Sequence, residues 1–294
     1  MISSETLKKI RRIQIVASRM ATDLFAGQYR SAFRGRGLEW GELREYEPGD
    51  DIRAVDWNVT ARTGRLHVKK FLDERAWTVL FVLDLSPSLR FGTAGQLKSQ
   101  LAAEIFALLS FTALRNRDRI GLLLFTDRIE RYVAPRTGGR HVLRLIREVL
   151  CCEPAGRGTN LALALDHADR LLKRRTILFV LSDLLDRGYE KPLSVMARKH
   201  DTLVMTVNDP AEVNLPEAGL LRLEDGERGH QILMDADARL CREYRVRNLR
   251  RLAERQRLLR SLQVDAVDCF TDVPYLQTLI SFFRQRERRI QGWP

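Results

Sequence analysis

Cysteine is scarce in this chain, and what there is makes no framework. Of 294 residues four are cysteine: Cys151 and Cys152 are adjacent, Cys241 and Cys269 stand far apart, and no C-x-x-C occurs. A disulfide scaffold is thereby excluded, and a reducing compartment is the natural reading. Long apolar runs are missing too. The best candidate, Leu101 to Leu114, is interrupted by Glu104, Ser110 and Thr112, well short of the ~20 apolar residues that span a bilayer. The opening residues, Met1 to Arg12, lack the apolar stretch of a signal peptide, so a cytoplasmic protein is expected. No G-x-S-x-G elbow is present, and the five histidines lie in different elements without a ligand spacing such as i, i+4. Gly92-Thr-Ala-Gly95-Gln-Leu-Lys98-Ser99 falls short of a phosphate loop, because Gln96 and Leu97 separate the glycine from the lysine. It reads instead as a loop feeding a helix, with Lys98 in the first turn. Acidic residues are outnumbered: 38 Asp+Glu against 50 Lys+Arg leave a net charge of +12. That balance favours an acidic partner, whether nucleic acid, anionic lipid or an acidic protein face.

What is present is an ordinary globular composition, 45% hydrophobic and 30% charged, with strands and helices alternating from residue 76 onward. Trp77-Thr-Val-Leu-Phe-Val-Leu83, Leu122-Leu-Leu-Phe125 and Ile177-Leu-Phe-Val-Leu181 are continuous apolar runs, as strands buried on both faces should be. Helices are expected near 96–115, 139–150, 160–173, 189–199, 236–260 and 275–289. Strands are expected at 119–125, 176–181, 202–207 and 263–270, with a short piece at 129–133. This pattern predicts an α/β fold with a doubly wound, mostly parallel sheet. Residues 1–75 read as an N-terminal extension packed on that core. It begins with one or two helical turns carrying an apolar stripe of Ile10, Ile13, Val16 and Met20. Residues 76–294 read as the sheet domain, with an insertion at about 209–235 that forms a small hairpin around Asp225-Gly226.

Ligands in such folds bind beyond the carboxyl ends of the strands. Asp84, Asp127, Asp183 and Asn208 each fall at a predicted strand end. Asp84-Leu-Ser86-Pro-Ser88 presents a carboxylate and two hydroxyls at i, i+2 and i+4, all hard donors suited to Mg²⁺, Mn²⁺ or Ca²⁺. Gly158-Thr159-Asn160 precedes a helix in a loop that can reach the same edge. Taken singly, Ser86 and Ser88 could shape a turn and Thr159 could cap its helix. Ser86 stands where an Asp-x-Asp phosphatase needs its second carboxylate, which argues against that chemistry. A nuclease built on Asp84, Asp127 and Asp183 remains the alternative.

Asp84, Ser86, Ser88, Thr159 and Asp183, in that order and context, resemble the metal-ion-dependent adhesion site of von Willebrand factor A domains. The resemblance implies Mg²⁺ held by Ser86, Ser88 and Thr159, with Asp84 and Asp183 close by. One coordination position would be left for a partner's carboxylate. A second stretch, Arg34 to Arg62, alternates Arg and Asp with Tyr46 and Trp57 at spacings that suit bidentate pairs beneath an aromatic lid. It serves either as a structural network or as a docking surface, with Arg44, Asp50, Arg53, Asp56, Trp57 and Arg62 as the candidates. This stretch, continuing through Leu83-Asp-Leu-Ser-Pro-Ser-Leu-Arg-Phe-Gly92, Lys98-Ser99 and Leu215-Pro-Glu-Ala-Gly219, resembles the bacterial family called domain of unknown function 58. Leu89 departs from the Met frequent at that position. The resemblance implies a von Willebrand factor A-like module that partners a MoxR-type AAA+ ATPase or its client, and no enzymatic activity.

Residues 239–260 carry nine arginines (239, 242, 245, 247, 250, 251, 255, 257 and 260) against Glu243 and Glu254. They form either a solvated helix face or a docking face for an acidic partner, peripheral association at the inner membrane included. Tyr244 is the only aromatic among them, so nucleic acid is not the expected partner.

Overall fold

The computed structural model describes residues 4–21, 23–34, 43–47, 55–69, 76–226 and 229–291. In chain order, helices α1 (Ser4–Met20) and α2 (Asp23–Arg34) are followed by strand β1 (Leu43–Glu45), helix α3 (Trp57–Thr63) and strand β2 (His67–Lys69). The core then runs β3 (Thr78–Asp84), α4 (Lys98–Arg115), β4 (Arg119–Phe125), β5 (Ile129–Arg136), α5 (Gly139–Cys151), α6 (Leu161–Leu171), β6 (Ile177–Ser182), α7 (Glu190–Lys199) and β7 (Asp201–Asn208). Strands β8 (Gly219–Glu224) and β9 (Gln231–Ala236) lead into α8 (Ala238–Ser261), β10 (Asp265–Phe270) and α9 (Tyr275–Gln291).

Six strands form the main sheet in the order β10-β7-β6-β3-β4-β5, parallel except for the last pair. The fold is therefore α/β with a mostly parallel sheet, as the alternation predicts. The piece expected at 129–133 is longer and is the antiparallel edge strand β5, which a short turn after β4 requires. The insertion is the expected antiparallel hairpin, β8 with β9.

The two-residue period of β3 supplies both layers of the core. Val79, Phe81 and Leu83 face the layer built by α1, α2, α4, α5 and α9, while Leu80 and Val82 face α6, α7 and the end of α8. From β3 the chain first grows outward through β4 and β5. It then returns to add β6, β7 and β10 on the other side. Helix α4, after β3, lies on one face and α7, after β6, on the other. The connections leaving β3 and β6 therefore diverge, and a crevice opens between their carboxyl ends.

The N-terminal region is more helical than its sequence suggests, with two full helices instead of one or two turns. Within the apolar stripe, Ile13 and Met20 pack against the core but Val16 stays 38% exposed. The side chain of Ile10 lies outside the described residues. Ala17 and Ala21 take the buried positions, where small side chains let α1 approach α4 and α5. Helix α2 buries Phe25, Tyr29 and Phe33, spaced i, i+4 and i+8 along one face. Phe25 meets Phe283 edge-on at 5.7 Å, and Phe33 meets Phe179 of β6 at 6.1 Å.

One buried cation fastens these layers together. Arg286 of α9 donates to both carboxylate oxygens of Asp201 at 2.6 Å, to Asp265, and to the Ala32 carbonyl of α2 at 3.0 Å. Its guanidinium also lies 4.9 Å over the Phe33 ring. Removing it leaves Asp201 buried without its counter-charge. Arg286→Met is therefore expected to cost about 3–5 kcal/mol in urea unfolding. Arg289→Met, which removes only the exposed pairing to Asp265, should cost under about 1 kcal/mol. Equal losses would contradict this account.

Candidate functional site

Asp84 is the last residue of β3 and is fully buried. One carboxylate oxygen accepts the Ser86 amide at 2.7 Å, and the other accepts the Ser182 hydroxyl at 2.7 Å. The first bond bends the chain away from the strand into a short 3₁₀ turn over Pro87–Arg90, whose proline suits the first turn position. That turn brings the Ser86 and Ser88 hydroxyls to 3.0 Å, and Ser88 donates to Asp183 Oδ2 at 2.7 Å. Four of the five residues picked from sequence thus form one hydrogen-bonded chain across the crevice between β3 and β6. Thr159 stands half-buried in the loop before α6, whose Asn160 amide bonds the Thr126 carbonyl at the end of β4. It is not the cap of α6. Asn160 is, accepting the Leu163 amide at 2.8 Å.

The Asp183 carboxylate is held from several sides. Its Oδ1 accepts the Leu185 amide at 3.2 Å, and its backbone carbonyl accepts Arg255 Nη1 at 2.8 Å. Leu184, between them, has φ of +54°, a left-handed conformation uncommon for leucine and kept here by burial of its side chain. Arg255 corrects the reading of the basic helix. It is buried, and it also bonds Asn208 at 3.0 Å and Asp268 at 2.8 Å, while the other arginines of residues 239–260 are exposed.

Sequence reasoning missed three members of the site. Ser182 needs only its place at the end of β6 beside Asp183 to be suspected. Lys98 and Glu212 gave no such signal. Lys98, the first residue of α4, is completely buried, and its ammonium lies 2.9 Å from Asp183 Oδ2 and 2.5 Å from Glu212 Oε1. Burial pulls its pKa down, but Asp183 and Glu212 outweigh that and raise it, so the lysine stays charged. Burial, reinforced by the Asp183 carboxylate, pushes Asp84 up to about 7. The glycine-rich loop ahead of α4 is anchored by the buried Asp209. That carboxylate accepts the Thr93 amide at 2.8 Å and the Thr93 and Thr271 hydroxyls at 2.6 Å.

Asp127, among the described candidates, makes no hydrogen bond to this cluster. Asp127 bonds Thr126 and Arg128 of its own turn and is partly exposed. Among the described residues, no three His, Cys, Asp or Glu side chains converge as a metal-holding group. The carboxylate triad needed for two-metal chemistry is therefore not assembled. Asp50 and Arg53, and the side chain of Arg44, lie outside the described residues. Asp56 caps α3, accepting the Asn58 and Val59 amides at 3.0 and 3.3 Å. Trp57 is 64% exposed, and Arg62 is exposed on the same short helix. The hairpin does reach the site: a Cβ on Gly226 would come within 3.4 Å of the Pro87 carbonyl.

The donor set fits a hard cation. Neighbouring oxygens in an octahedral Mg²⁺ shell with bonds of 2.0–2.1 Å lie about 2.8–3.0 Å apart. The Ser86–Ser88 separation of 3.0 Å matches that spacing. The Lys98 ammonium is already seated on Asp183 Oδ2 at 2.9 Å. Ser86 and Ser88, with Asp84 and Asp183 beside them, are the members of the expected set that this cluster brings together, and Thr159, in the loop before α6, is the remaining ligand of that set.

Fold and site together define an α/β protein with a buried hydroxyl–carboxylate cluster at its topological switch point. A family model described as "Protein of unknown function DUF58" matches residues 42–255, and the chain belongs to that family. An uncharacterized protein of Mycobacterium tuberculosis is 31% identical over 282 residues, 95% of this chain and 89% of that one. Among solved structures, an aerotolerance-related membrane protein from Bacteroides fragilis is 15% identical with a TM-score of 0.47, covering 73% of this chain and 100% of that one. BatB from Bacteroides thetaiotaomicron is 14% identical with the same TM-score of 0.47, covering 72% and 100%. Among the described residues no helix is long and apolar enough to cross a membrane.

The raised pKa of Asp84 has a measurable consequence. Between about pH 4, where an unfolded aspartate ionises, and about 7, where the folded one does, the unfolded chain holds fewer protons. Stability should therefore fall as pH rises through that window. In chelator, pH-dependent melts of the wild type should show this loss, and Asp84→Asn should flatten it. Parallel profiles would show that Asp84 does not carry it.

Proposed function

We propose that this protein is a non-enzymatic, cation-dependent protein-binding module, acting in the cytoplasm as an adaptor for a MoxR-type AAA+ ATPase or for that ATPase's client. The observation that carries the reading is the prearranged Ser86–Ser88–Asp183 chain at the switch point. Its two hydroxyls lie 3.0 Å apart, Ser88 bonds the Asp183 carboxylate at 2.7 Å, and Asp84 has both oxygens bonded. Such a set suits holding better than reacting. Asp84 and Asp183 are each held by hydrogen bonds from groups of this chain. A bound Mg²⁺ would supply one thing, a coordination position for a partner's carboxylate. This chain's own residues do the rest: the Pro87 turn fixes the two hydroxyls, and Arg255 with the Leu185 amide fixes Asp183.

Selectivity would come from the surroundings. The hairpin tip borders the Pro87–Ser88 turn, and Leu220, Ile232 and Leu233 of the hairpin are each more than 60% exposed. The exposed arginines of α8 provide attraction for an acidic partner face.

The test is capture of a MoxR-type ATPase from the same organism by the full chain, with and without chelator. Chelator, Ser86→Ala and Ser88→Ala should each reduce capture by at least about tenfold, the scale of losing a charge-assisted contact. Unchanged capture in all three overturns the coordination model. Mg²⁺- or Mn²⁺-dependent turnover of nucleic acid or phosphoesters that vanishes in Asp84→Asn would make the protein an enzyme instead.

A further inference from the structure

We infer that Lys98 is a tethered counter-cation that sets how tightly the Ser86–Ser88–Asp183 group holds a divalent ion, and that Glu212 tunes it. This rests on the cation-binding reading above and adds a determinant of affinity to it. A lysine at this position is costly on two counts. It is the first residue of a helix, where the N-terminal end of the dipole disfavours a positive charge. It is also entirely without solvent contact, which removes the hydration of the ammonium. A packed apolar side chain of similar volume would hold the helix without either cost. What the lysine supplies, and an apolar group could not, is a positive charge on the oxygen that links the two halves of the crevice.

The geometry shows where that charge acts. Asp183 Oδ2 accepts both the Ser88 hydroxyl, at 2.7 Å, and the Lys98 ammonium, at 2.9 Å. Any ion drawn to Ser88 and Asp183 must therefore share this carboxylate with Lys98 and feel its repulsion. Glu212 moderates that repulsion. Its Oε1 accepts from Lys98 at 2.5 Å, while its Oε2 is pinned by the Asp209 amide at 3.0 Å. Asp209 in turn holds Thr93 of the loop before α4. Both ends of the pair are thus anchored, and the lysine is held in place.

Opposite signs follow for two substitutions, and a purely structural role would not produce them. Lys98→Met removes the repelling charge and should tighten binding. Glu212→Gln keeps the side chain's shape and, with its one carbonyl oxygen on the Asp209 amide, turns its NH₂ toward Lys98; the lysine loses its neutralising partner and binding should weaken. The experiment is Mn²⁺ titration of the full chain, read by the resonance signal of free Mn²⁺, with thermal melts in Mg²⁺ as a second readout. Lys98→Met should bind at least about tenfold tighter than wild type, and Glu212→Gln several-fold weaker, from the distance dependence of charge repulsion. The melting temperature of Lys98→Met should also respond to Mg²⁺ more steeply than that of wild type. If Lys98→Met does not fold without metal, Glu212→Gln decides alone. Wild-type affinity in a folded Glu212→Gln, or no gain in a folded Lys98→Met, overturns the role of Lys98 while leaving the cation site standing. No Mn²⁺ binding by wild type and both variants, all folded, overturns the cation reading and this inference with it.

Discussion

Two carboxylates, Asp84 and Asp183, are buried side by side at the ends of adjacent parallel strands, and the carboxyl edge of the sheet is organised around them. A buried carboxylate needs hydrogen bonds, and an ionised one a counter-charge as well. Ser182 and the Ser86 amide satisfy one; Ser88, Lys98 and the Leu185 amide satisfy the other. Lys98 requires Glu212 in turn, and Glu212 requires the turn that follows β7. The loop before α4, the turn after β7 and the buried end of α8 are thus positioned by the same electrostatic demand. The hydroxyl–carboxylate cluster and the packing of three connections are one network here.

The opposite edge of the sheet solves a similar problem with a single arginine. Arg286 answers Asp201 and Asp265 at the amino ends of β7 and β10 and caps a carbonyl of α2. Around it, the rings of Phe25, Tyr29, Phe33, Phe179 and Phe283 interlock the N-terminal helices with the sheet. Helices α1 and α2 belong to one layer of the core. The difference from the weak helical signal expected there is physical. The buried face of α1 and the residue after it is built partly from Ala17 and Ala21, which a hydrophobicity stripe undervalues but close packing favours.

Much of the site was legible before any coordinates. Asp84, Ser86, Ser88 and Asp183 all lie at the ends of apolar runs, where strand period and chain direction place them at one edge. The same logic failed for Asp127, which shares the edge but bonds within its own turn. It failed for Arg255 as well, which looked like one of many surface arginines and is instead the buried clamp on the Asp183 carbonyl. A charge count along a helix does not say which residue faces inward when the helix packs at an angle on a twisted sheet.

The chain's local patterns determined what kind of elements form and which donors their ends carry. Continuous apolar strands, the Asp-x-Ser-Pro-Ser turn and the Asp225-Gly226 hairpin are short-range features, governed by strand burial, proline geometry and turn chemistry. Which charges meet was decided only by the tertiary structure. Lys98 reaches Asp183 across 85 residues of sequence, and Glu212 joins it from 114 residues away. Such pairings depend on strand order and on helices leaving opposite faces of the sheet. Those follow from how the whole core closes, and no window of sequence contains them.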